Sequence, residues 1–226
     1  IYPIKSLGGI SVDSAIAESR GLKYDRRYLL VDEKNMFITQ RDFPQLALLK
    51  LSFSENGFEA LNTKDNSRLV IPFESDLNEN ISVTIWDDIC KAVKVGNDFD
   101  NWFSNAINKK CSLVYMPDDE KRIVEKKYIN DEHIVSFADA YPFLIIGQSS
   151  LDDLNMRLDN PIPMNRFRTN FVFTGGTTNQ DTAERSSEPL KTLSTYRKFN
   201  NKVLFGMNVV CFNNGFVSVG DKIYLS

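Results

Sequence analysis

The chain has 226 residues, of which 42% are hydrophobic and 12% aromatic. This length and composition fit one large or two small globular domains and exclude an intrinsically disordered protein. The formal net charge of −3 at pH 7 gives no general attraction to nucleic acid or to an anionic membrane. Because His133 is the single histidine, a histidine-rich metal site and a Ser-His-Asp triad are disfavoured.

The cysteines indicate the redox environment. Their odd number and wide spacing argue against a disulfide framework and against a CxxC zinc site. We therefore expect a reducing compartment, the cytoplasm. No apolar run reaches membrane-spanning length and no signal peptide is visible, so we expect no membrane span. The three cysteines are Cys90, Cys111 and Cys211.

Short strands dominate the first half of the predicted structure. The opening IYPIKS is extended, because Pro3 biases Tyr2 away from helix. From Gly21 onward the pattern predicts a β-meander, and turn signals such as Asn56-Gly57 separate further strands. About seven short strands at this spacing indicate a β-barrel or sandwich. They are predicted over residues 27–31, 36–39, 46–53, 58–61, 68–73, 81–86 and 90–95.

Three helices and a second group of strands follow in the prediction. Apolar residues from Phe99 to Ile107 recur at helical spacing behind a cap at Asn97 or Asp98. A capping box of Ser150 and Asp153 predicts the second helix, and Ser187 begins the third. Strands are predicted over residues 112–116, 142–146, 171–174, 203–210, 215–219 and 222–225, the last two as a terminal hairpin that could complete a barrel.

Charged residues gather in several places where binding and simple solvation both remain open. Arg166 and Arg168 directly precede an apolar run, which favours an anion site or a strand entry with solvated charges. Lys5 reads as a solvated edge lysine and Asp139 as an Asx-turn aspartate. The segment 117–131 is expected to be a solvated loop, with a lid as the alternative. Arg26, Arg27 and Arg41 flank the first hairpin and could converge on one sheet mouth, or pair with the neighbouring Asp25, Asp32 and Asp42.

Seven ordered motifs resemble the MOSC family, named for the C-terminal domain of molybdenum cofactor sulfurases. The resemblance is to members with an extra N-terminal β-barrel region, such as the mitochondrial amidoxime-reducing component. It implies a β-rich α+β fold, with an N-terminal β-barrel-like region over residues 1–115 and a MOSC β-barrel with a few helices over 116–226. The motifs are IYPIKS, YDRRYLLVD, ITQRDFP, FADAYPFLIIGQSSLDDLN, NRFRTNFVFTG, EPLKTLSTYR and LFGMNVV with GFVSVGDKIYL.

The resemblance also implies a molybdenum–pterin cofactor, small N-hydroxylated substrates such as amidoximes, and electrons from a separate partner protein. The pterin phosphate calls for cationic and N–H donors, for which the arginine fork is suited. The amino-pyrimidinone edge presents adjacent N–H donors that a carboxylate accepts. By matching position, the cofactor-binding residues are predicted to be Lys5, Arg26, Arg41, Asp139, Arg168 and Asn170.

One departure from the family pattern concerns the metal. None of the three cysteines matches the position of the family's molybdenum ligand, and a thiolate is the ligand this metal chemistry needs. The segment that carries it in the family would fall between Gly176 and Thr177, and Thr169 replaces a common proline. Either that segment is missing from this sequence, or a true deletion leaves a non-enzymatic cofactor-binding or carrier module. A plain phosphate-binding domain is a third possibility.

Overall fold

A computed structural model describes residues 1–73, 79–124, 131–156, 158–174 and 206–224, and the backbone of residues 198–199 and 202–203. The described chain is β-rich with two α-helices, which confirms the predicted fold class. Backbone contacts divide it into two compact units, Ile1–Pro142 with Val210–Ser226, and Phe143–Val209. The boundary at residues 115 and 116 between two domains stays a prediction.

The described elements, in chain order, have the following bounds. The strands are β1 (Ser14–Glu18), β2 (Gly21–Leu22), β3 (Tyr28–Val31), β4 (Leu49–Ser54), β5 (Gly57–Asn62), β6 (Arg68–Pro72), β7 (Asn80–Ile85), β8 (Asp88–Lys94), β9 (Ser112–Tyr115), β10 (Arg122–Ile123), β11 (Ile134–Val135), β12 (Phe143–Gly147), β13 (Phe171–Phe173), β14 (Lys198–Phe199), β15 (Lys202–Val203), β16 (Met207–Val209) and β17 (Gly215–Ser218). The helices are α1 (Asn97–Ile107) and α2 (Gln148–Asn155), with short 3-10 helices at Pro44–Leu48 and Met164–Phe167.

Two sheets hold the core of the first unit, with strand orders β3-β9-β8-β7 and β4-β5-β6. All four residues of β3 are buried, which is the pattern of a strand covered on both faces. In β5 the fully buried Phe58 and Ala60 alternate with less buried neighbours, so one face of that strand points into the core. The same unit contains the sheet β17-β1-β2 and the pair β10-β11.

Helix α1 packs against this core with Phe103 and Ile107, which are buried. It begins after Gly96, so the predicted caps Asn97 and Asp98 lie inside the helix instead. Asn108 ends it in the left-handed region with φ 51°, which asparagine tolerates better than most residues. The Asp100 carboxylate accepts the Leu113 backbone N–H at 2.8 Å and so ties the helix to β9.

The second unit contains a three-stranded sheet in which β12 is central. Strand β12 pairs in parallel with β13 and antiparallel with β16. Helix α2 follows β12 directly, with Gly147 as its N-cap residue. The predicted capping box is therefore wrong, because Ser150 and Asp153 lie inside the helix. None of the described helices is long and apolar enough to cross a membrane.

Three strand predictions are also corrected. Pro44–Leu48 is a 3-10 helix, so the strand predicted from residue 46 begins only at Leu49. Residues 36 and 37 form isolated bridges rather than a strand. Strand β17 pairs with β1 and not with residues 222–224, so the predicted terminal hairpin is wrong. The hydrogen-bonding groups of the β17 backbone are satisfied by β1, which is far away in the sequence. The third predicted helix, which ends at Lys198, lies outside the described residues except for Lys198 itself, which begins strand β14 instead.

Candidate functional site

Three segments of the first unit run side by side and bring together residues that are far apart in sequence. The Lys5 backbone N–H donates to the Tyr28 carbonyl at 2.9 Å, and the Arg26 N–H donates to the Tyr2 carbonyl at 2.8 Å. On the other side, the Phe137 N–H donates to the Arg26 carbonyl at 2.9 Å. The segment around Arg26 therefore holds the N-terminal segment and the segment that leads to Asp139 in one cluster.

Lys5 and Asp139 form an ion pair in this cluster. The Lys5 Nζ lies 2.5 Å from the Asp139 Oδ1, and the Lys5 side chain is only 8% exposed whereas that of Asp139 is 68% exposed. Burial lowers the pKa of Lys5 to about 8, although the Asp139 carboxylate opposes that shift. Lys5 is therefore a shielded cation beside an accessible anion, and the interpretation as a solvated edge lysine is wrong.

The Asp139 carboxylate stays ionised because its partners outweigh its partial desolvation. Desolvation raises the pKa of Asp139, but the Lys5 ammonium, the Trp86 indole N–H and the Arg26 charge together hold it below its ordinary value. The Trp86 Nε1 donates to the same Oδ1 atom at 3.2 Å. The other carboxylate oxygen leaves acceptor capacity for a ligand with N–H donors.

Aromatic rings border the ion pair and link it to Arg41. The Trp86 and Phe37 ring centroids are 4.8 Å apart, and the Lys5 Nζ lies 5.8 Å from the Phe37 centroid. The exposed Arg41 places its guanidinium 5.7 Å from the Trp86 centroid, within cation–π distance. Arg41 therefore lies at the border of the cluster, in contact with Trp86.

Backbone strain marks the same residues. Besides glycine and asparagine, the described residues with positive φ are Ser6 (70°), Tyr24 (70°), Arg26 (50°), Trp86 (54°) and Arg168 (56°). Each such conformation costs about 1–3 kcal/mol and is found preferentially at binding and active sites. Arg26 and Arg168 are predicted site residues, Ser6 adjoins Lys5, and Trp86 donates to Asp139, whereas Tyr24 has no such relation. In the first unit, the strain at Ser6, Arg26 and Trp86 is thus a second sign of a site, independent of the charges.

The other arginines of the first hairpin have found acidic partners. The Arg26 guanidinium pairs with the buried Asp25 at 2.5 Å and lies 4.4 Å from the centroid of the Tyr2 ring. Arg27 pairs with Asp118 at 2.6 Å instead of with Asp32. The prediction that these arginines pair with neighbouring aspartates is therefore confirmed for Arg26. Arg27 pairs with Asp118 and takes no part in the Lys5–Asp139 ion pair.

In the second unit, the residues around Arg168 fix a side-chain amide in place. Arg168 ends the 3-10 helix in the left-handed region. The Asn170 N–H donates to the Leu144 carbonyl at 2.9 Å, and its Oδ1 accepts the Leu144 N–H at 3.1 Å. The Asn170 Nδ2 is buried without a protein acceptor. A buried unpaired donor is costly, so this atom fits a ligand oxygen or ring nitrogen.

Two of the three cysteines are buried and the third is partly exposed. Cys90 and Cys111 are buried, and burial raises the pKa of each thiol to about 11. The Cys211 Sγ donates to the Asn213 carbonyl at 2.6 Å. No group of three or more His, Cys, Asp and Glu side chains in the described part of the chain is placed to hold a metal ion.

Arg122 is a buried residue that the sequence did not point to. Its side chain is 4% exposed and donates to the Asp88 carboxylate and to carbonyls of the segment that ends at Asp139. It begins β10, so the segment 117–131 is not simply a solvated loop. Within that charged run nothing distinguishes Arg122 from Lys121, because its partners are long-range backbone carbonyls.

The shielded position of Lys5 predicts an unusual titration. The pKa of Lys5 is about 8, so its ammonium loses its proton well below the pH at which an exposed lysine does. At pH values between the folded-state pKa of about 8 and the higher pKa that Lys5 has in the unfolded chain, the folded state binds fewer protons than the unfolded state. The contribution of Lys5 to the free energy of unfolding therefore increases as the pH rises above about 8. NMR of lysine Cε resonances, with Lys5→Met for assignment, checks this. A Lys5 midpoint near that of the exposed lysines would contradict it.

Two protein-family models match this chain. A model described as MOSC N-terminal beta barrel domain matches residues 1–110, and a model described as MOSC domain matches residues 132–184. The chain belongs to the MOSC family, in the group that carries the N-terminal β-barrel domain.

The chain covers different shares of the relatives that it matches. Mitochondrial amidoxime-reducing component 1 of Mus musculus is 27% identical over 277 residues, which cover all of this chain and 80% of that protein. Molybdenum cofactor sulfurase of Oryza sativa subsp. japonica is 27% identical over 92% of this chain and only 31% of its own length. A solution structure of a Bordetella bronchiseptica protein has a TM-score of 0.36 at 19% identity, covering 41% of this chain and 73% of its own.

Proposed function

We propose that this protein binds the pterin part of a molybdenum–pterin cofactor and supports reduction of N-hydroxylated small molecules. The single observation that carries the proposal is the Lys5–Asp139 pair, which joins a shielded ammonium to an accessible carboxylate. Names of the matched relatives refer to the molybdenum cofactor and to amidoxime reduction, which supports the same assignment.

The residues fit the pterin in two respects. The Asp139 carboxylate is ionised and exposed, as recognition of the adjacent N–H donors of an amino-pyrimidinone ring requires. The buried Asn170 Nδ2 has a free donor in a fixed position, suited to an acceptor of the cofactor. Lys5, Arg41 and Arg168 are proposed to meet its anionic groups. Arg26 has fewer donors to spare, because Asp25 already accepts one.

The metal end of the cofactor does not fit the described residues. Cys90 and Cys111 are buried, the Cys211 Sγ donates to the Asn213 carbonyl, and no group of three or more metal-ligating side chains occurs among the described residues. We therefore derive no catalytic step through molybdenum. When bound, the cofactor would supply the redox chemistry for cleavage of an N–O bond, and the protein's own residues would bind it and orient it.

Relatives are longer than this chain inside the aligned region. The alignment with the Mus musculus protein runs over 277 positions, whereas this chain has 226 residues, all of them covered. The extra aligned positions support the proposal that a segment is missing from this sequence; its place between Gly176 and Thr177, and the ligand cysteine in it, are proposed from the resemblance of the flanking motifs. Sequencing the coding DNA across that junction tests it. An uninterrupted reading frame would favour the alternative, a non-enzymatic cofactor-binding or carrier module.

The remaining parts of the proposal concern context. We propose a separate electron-transfer protein as the partner and the cytoplasm as the compartment. The second part is supported by the free state of the three cysteines. Reductase activity with an artificial electron donor distinguishes the enzyme from a carrier module, and pterin released by acid distinguishes both from a plain phosphate-binding domain.

Substitution of Arg168 by alanine is expected to lower the amount of pterin that the purified chain retains about tenfold, because a charge-assisted contact is lost. The domain should still fold, since Arg168 is only half-buried. The matched control is Arg166→Ala, an exposed arginine of the same short helix. Acid release followed by pterin fluorescence measures both variants. Equal pterin content in Arg168→Ala and wild type would remove Arg168 from the site.

A further inference from the structure

Arg122 fastens the backbone that carries Asp139. Its Nη1 donates to the Ser136 and Ala138 carbonyls at 3.0 and 2.5 Å, and its Nη2 donates to the Asp139 carbonyl at 2.8 Å. A guanidinium is planar and always charged, so three carbonyls on one side chain are held in a fixed mutual geometry. The segment 136–139 is therefore bound by a side chain rather than by a strand partner alone.

The same guanidinium is anchored at the end of the β7–β8 hairpin. The Arg122 Nε donates to the Asp88 Oδ2 at 2.8 Å. Trp86, two residues before Asp88, donates its indole N–H to the Asp139 carboxylate at 3.2 Å. The hairpin end thus holds Asp139 twice, by its carboxylate through Trp86 and by its carbonyl through Asp88 and Arg122.

The opposite side of the segment is fixed by backbone bonds. The Ser136 N–H donates to the Arg20 carbonyl at 3.2 Å and the Phe137 N–H to the Arg26 carbonyl at 2.9 Å. Beyond residue 137, Arg122 holds the chain by the Ala138 and Asp139 carbonyls, just where Asp139 turns towards solvent. Without these bonds the exposed aspartate would sample several positions, and fixing its side chain against Lys5 would cost conformational entropy.

We propose that Arg122 is the positioning residue of the site, which holds the Asp139 carboxylate against Lys5 and Trp86 in the orientation that binds the pyrimidinone edge of the cofactor. Arg122 does not contact the cofactor in this role. Since the inference rests on the proposed function, its test has one readout that needs no cofactor and another that does.

The first readout is the titration of Asp139 itself. Desolvation raises the pKa of Asp139, but Lys5, Trp86 and Arg26 act on its carboxylate and together hold the pKa below its ordinary value. In Arg122→Lys the charge is kept, but the three donors of one ammonium cannot replace the planar fork, which binds three carbonyls and the Asp88 carboxylate together. Asp139 then leaves its partners, and its pKa rises. NMR of the carboxyl carbon follows this in the full chain, assigned with Asp139→Asn.

The second readout is the pterin content of the purified chain. Arg122→Lys is expected to lower it about tenfold, and to cause no further loss in an Asp139→Asn background, because both changes act on one contact. The matched control is Arg27→Lys, a buried arginine of the same unit that binds the Met116 carbonyl and the Asp118 carboxylate. It should leave the Asp139 pKa and the pterin content unchanged.

The outcomes separate the inference from the proposed function. An unchanged Asp139 pKa in Arg122→Lys overturns the positioning role. A raised pKa together with full pterin content in Asp139→Asn overturns the role of Asp139 in cofactor binding, while the positioning role stands. If Arg122→Lys does not fold, Asp88→Ala replaces it, because loss of the carboxylate that accepts the Nε–H loosens the same guanidinium. The Asp139 pKa is then expected to rise by a smaller amount, and no rise overturns the inference.

Discussion

Replacement of Asp139 by asparagine is expected to reduce the pterin content of the purified chain more than tenfold. Asparagine has nearly the same shape but presents an N–H₂ group where the ligand's adjacent N–H donors need acceptors. A lost charge-assisted contact and an unsatisfied donor facing another donor together exceed the roughly 1.4 kcal/mol that a tenfold change requires.

The substitution also removes the counter-ion of Lys5. With burial as the main influence and Asp139 as the main opposing one, the pKa of Lys5 should fall below about 8 in this variant. More of the Lys5 side chain is then neutral near pH 8, which weakens its attraction for an anionic ligand.

The control for Asp139→Asn is Asp118→Asn. Asp118 is also an exposed carboxylate that pairs with a buried cation, Arg27, at 2.6 Å. It lies outside the Lys5–Asp139 cluster, so its loss should leave pterin content at the wild-type level. Equal losses in the two variants would show that any broken ion pair releases the pterin, and would contradict a binding role for Asp139.

The largest expected effect on stability comes from Phe58→Ala. Phe58 is fully buried in β5, and its ring lies within 4.9 to 6.5 Å, between centroids, of four others. Removal of a buried phenylalanine ring typically costs about 3–5 kcal/mol, since the surrounding side chains collapse only partly into the cavity. Urea denaturation of the two proteins measures the difference in free energy of unfolding.

Phe53→Ala provides the comparison for Phe58→Ala. Phe53 contacts the same ring cluster, but its side chain is 45% exposed. Its loss removes less buried apolar surface, so it should cost roughly 1 kcal/mol, as for many partly exposed sites. If both variants lost equal stability, Phe58 would not be the centre of this core.

Local pattern was enough to predict much of the fold. The Phe99-to-Ile107 spacing predicted α1, because its apolar residues share one face. Cys90 was predicted to be a core residue and is buried. Where prediction failed, long-range contacts had decided the structure. Strand β17 pairs with β1, and no residue near β17 indicates that partner.

The site was predictable in composition but not in geometry. The sequence around Lys5 predicted a solvent-exposed side chain. The side chain is buried instead, because its position is set by contacts with Tyr28, Phe37 and Asp139, which lie far from it in the sequence. Trp86 and Arg122 were missed, since their partners are separated from them by many residues of chain. The positive φ of Trp86 also carries no sequence signal, because glycine or asparagine is usual there.

The most direct test of the central claim is the amount of pterin bound to the wild-type chain. The full chain would be purified from one host that makes the molybdenum cofactor and from another that cannot, and pterin fluorescence would be measured after acid release. We expect pterin in near-stoichiometric amount from the first host and none from the second. Equal background fluorescence from both preparations, with the chain folded, would contradict cofactor binding by Lys5, Asp139 and their neighbours.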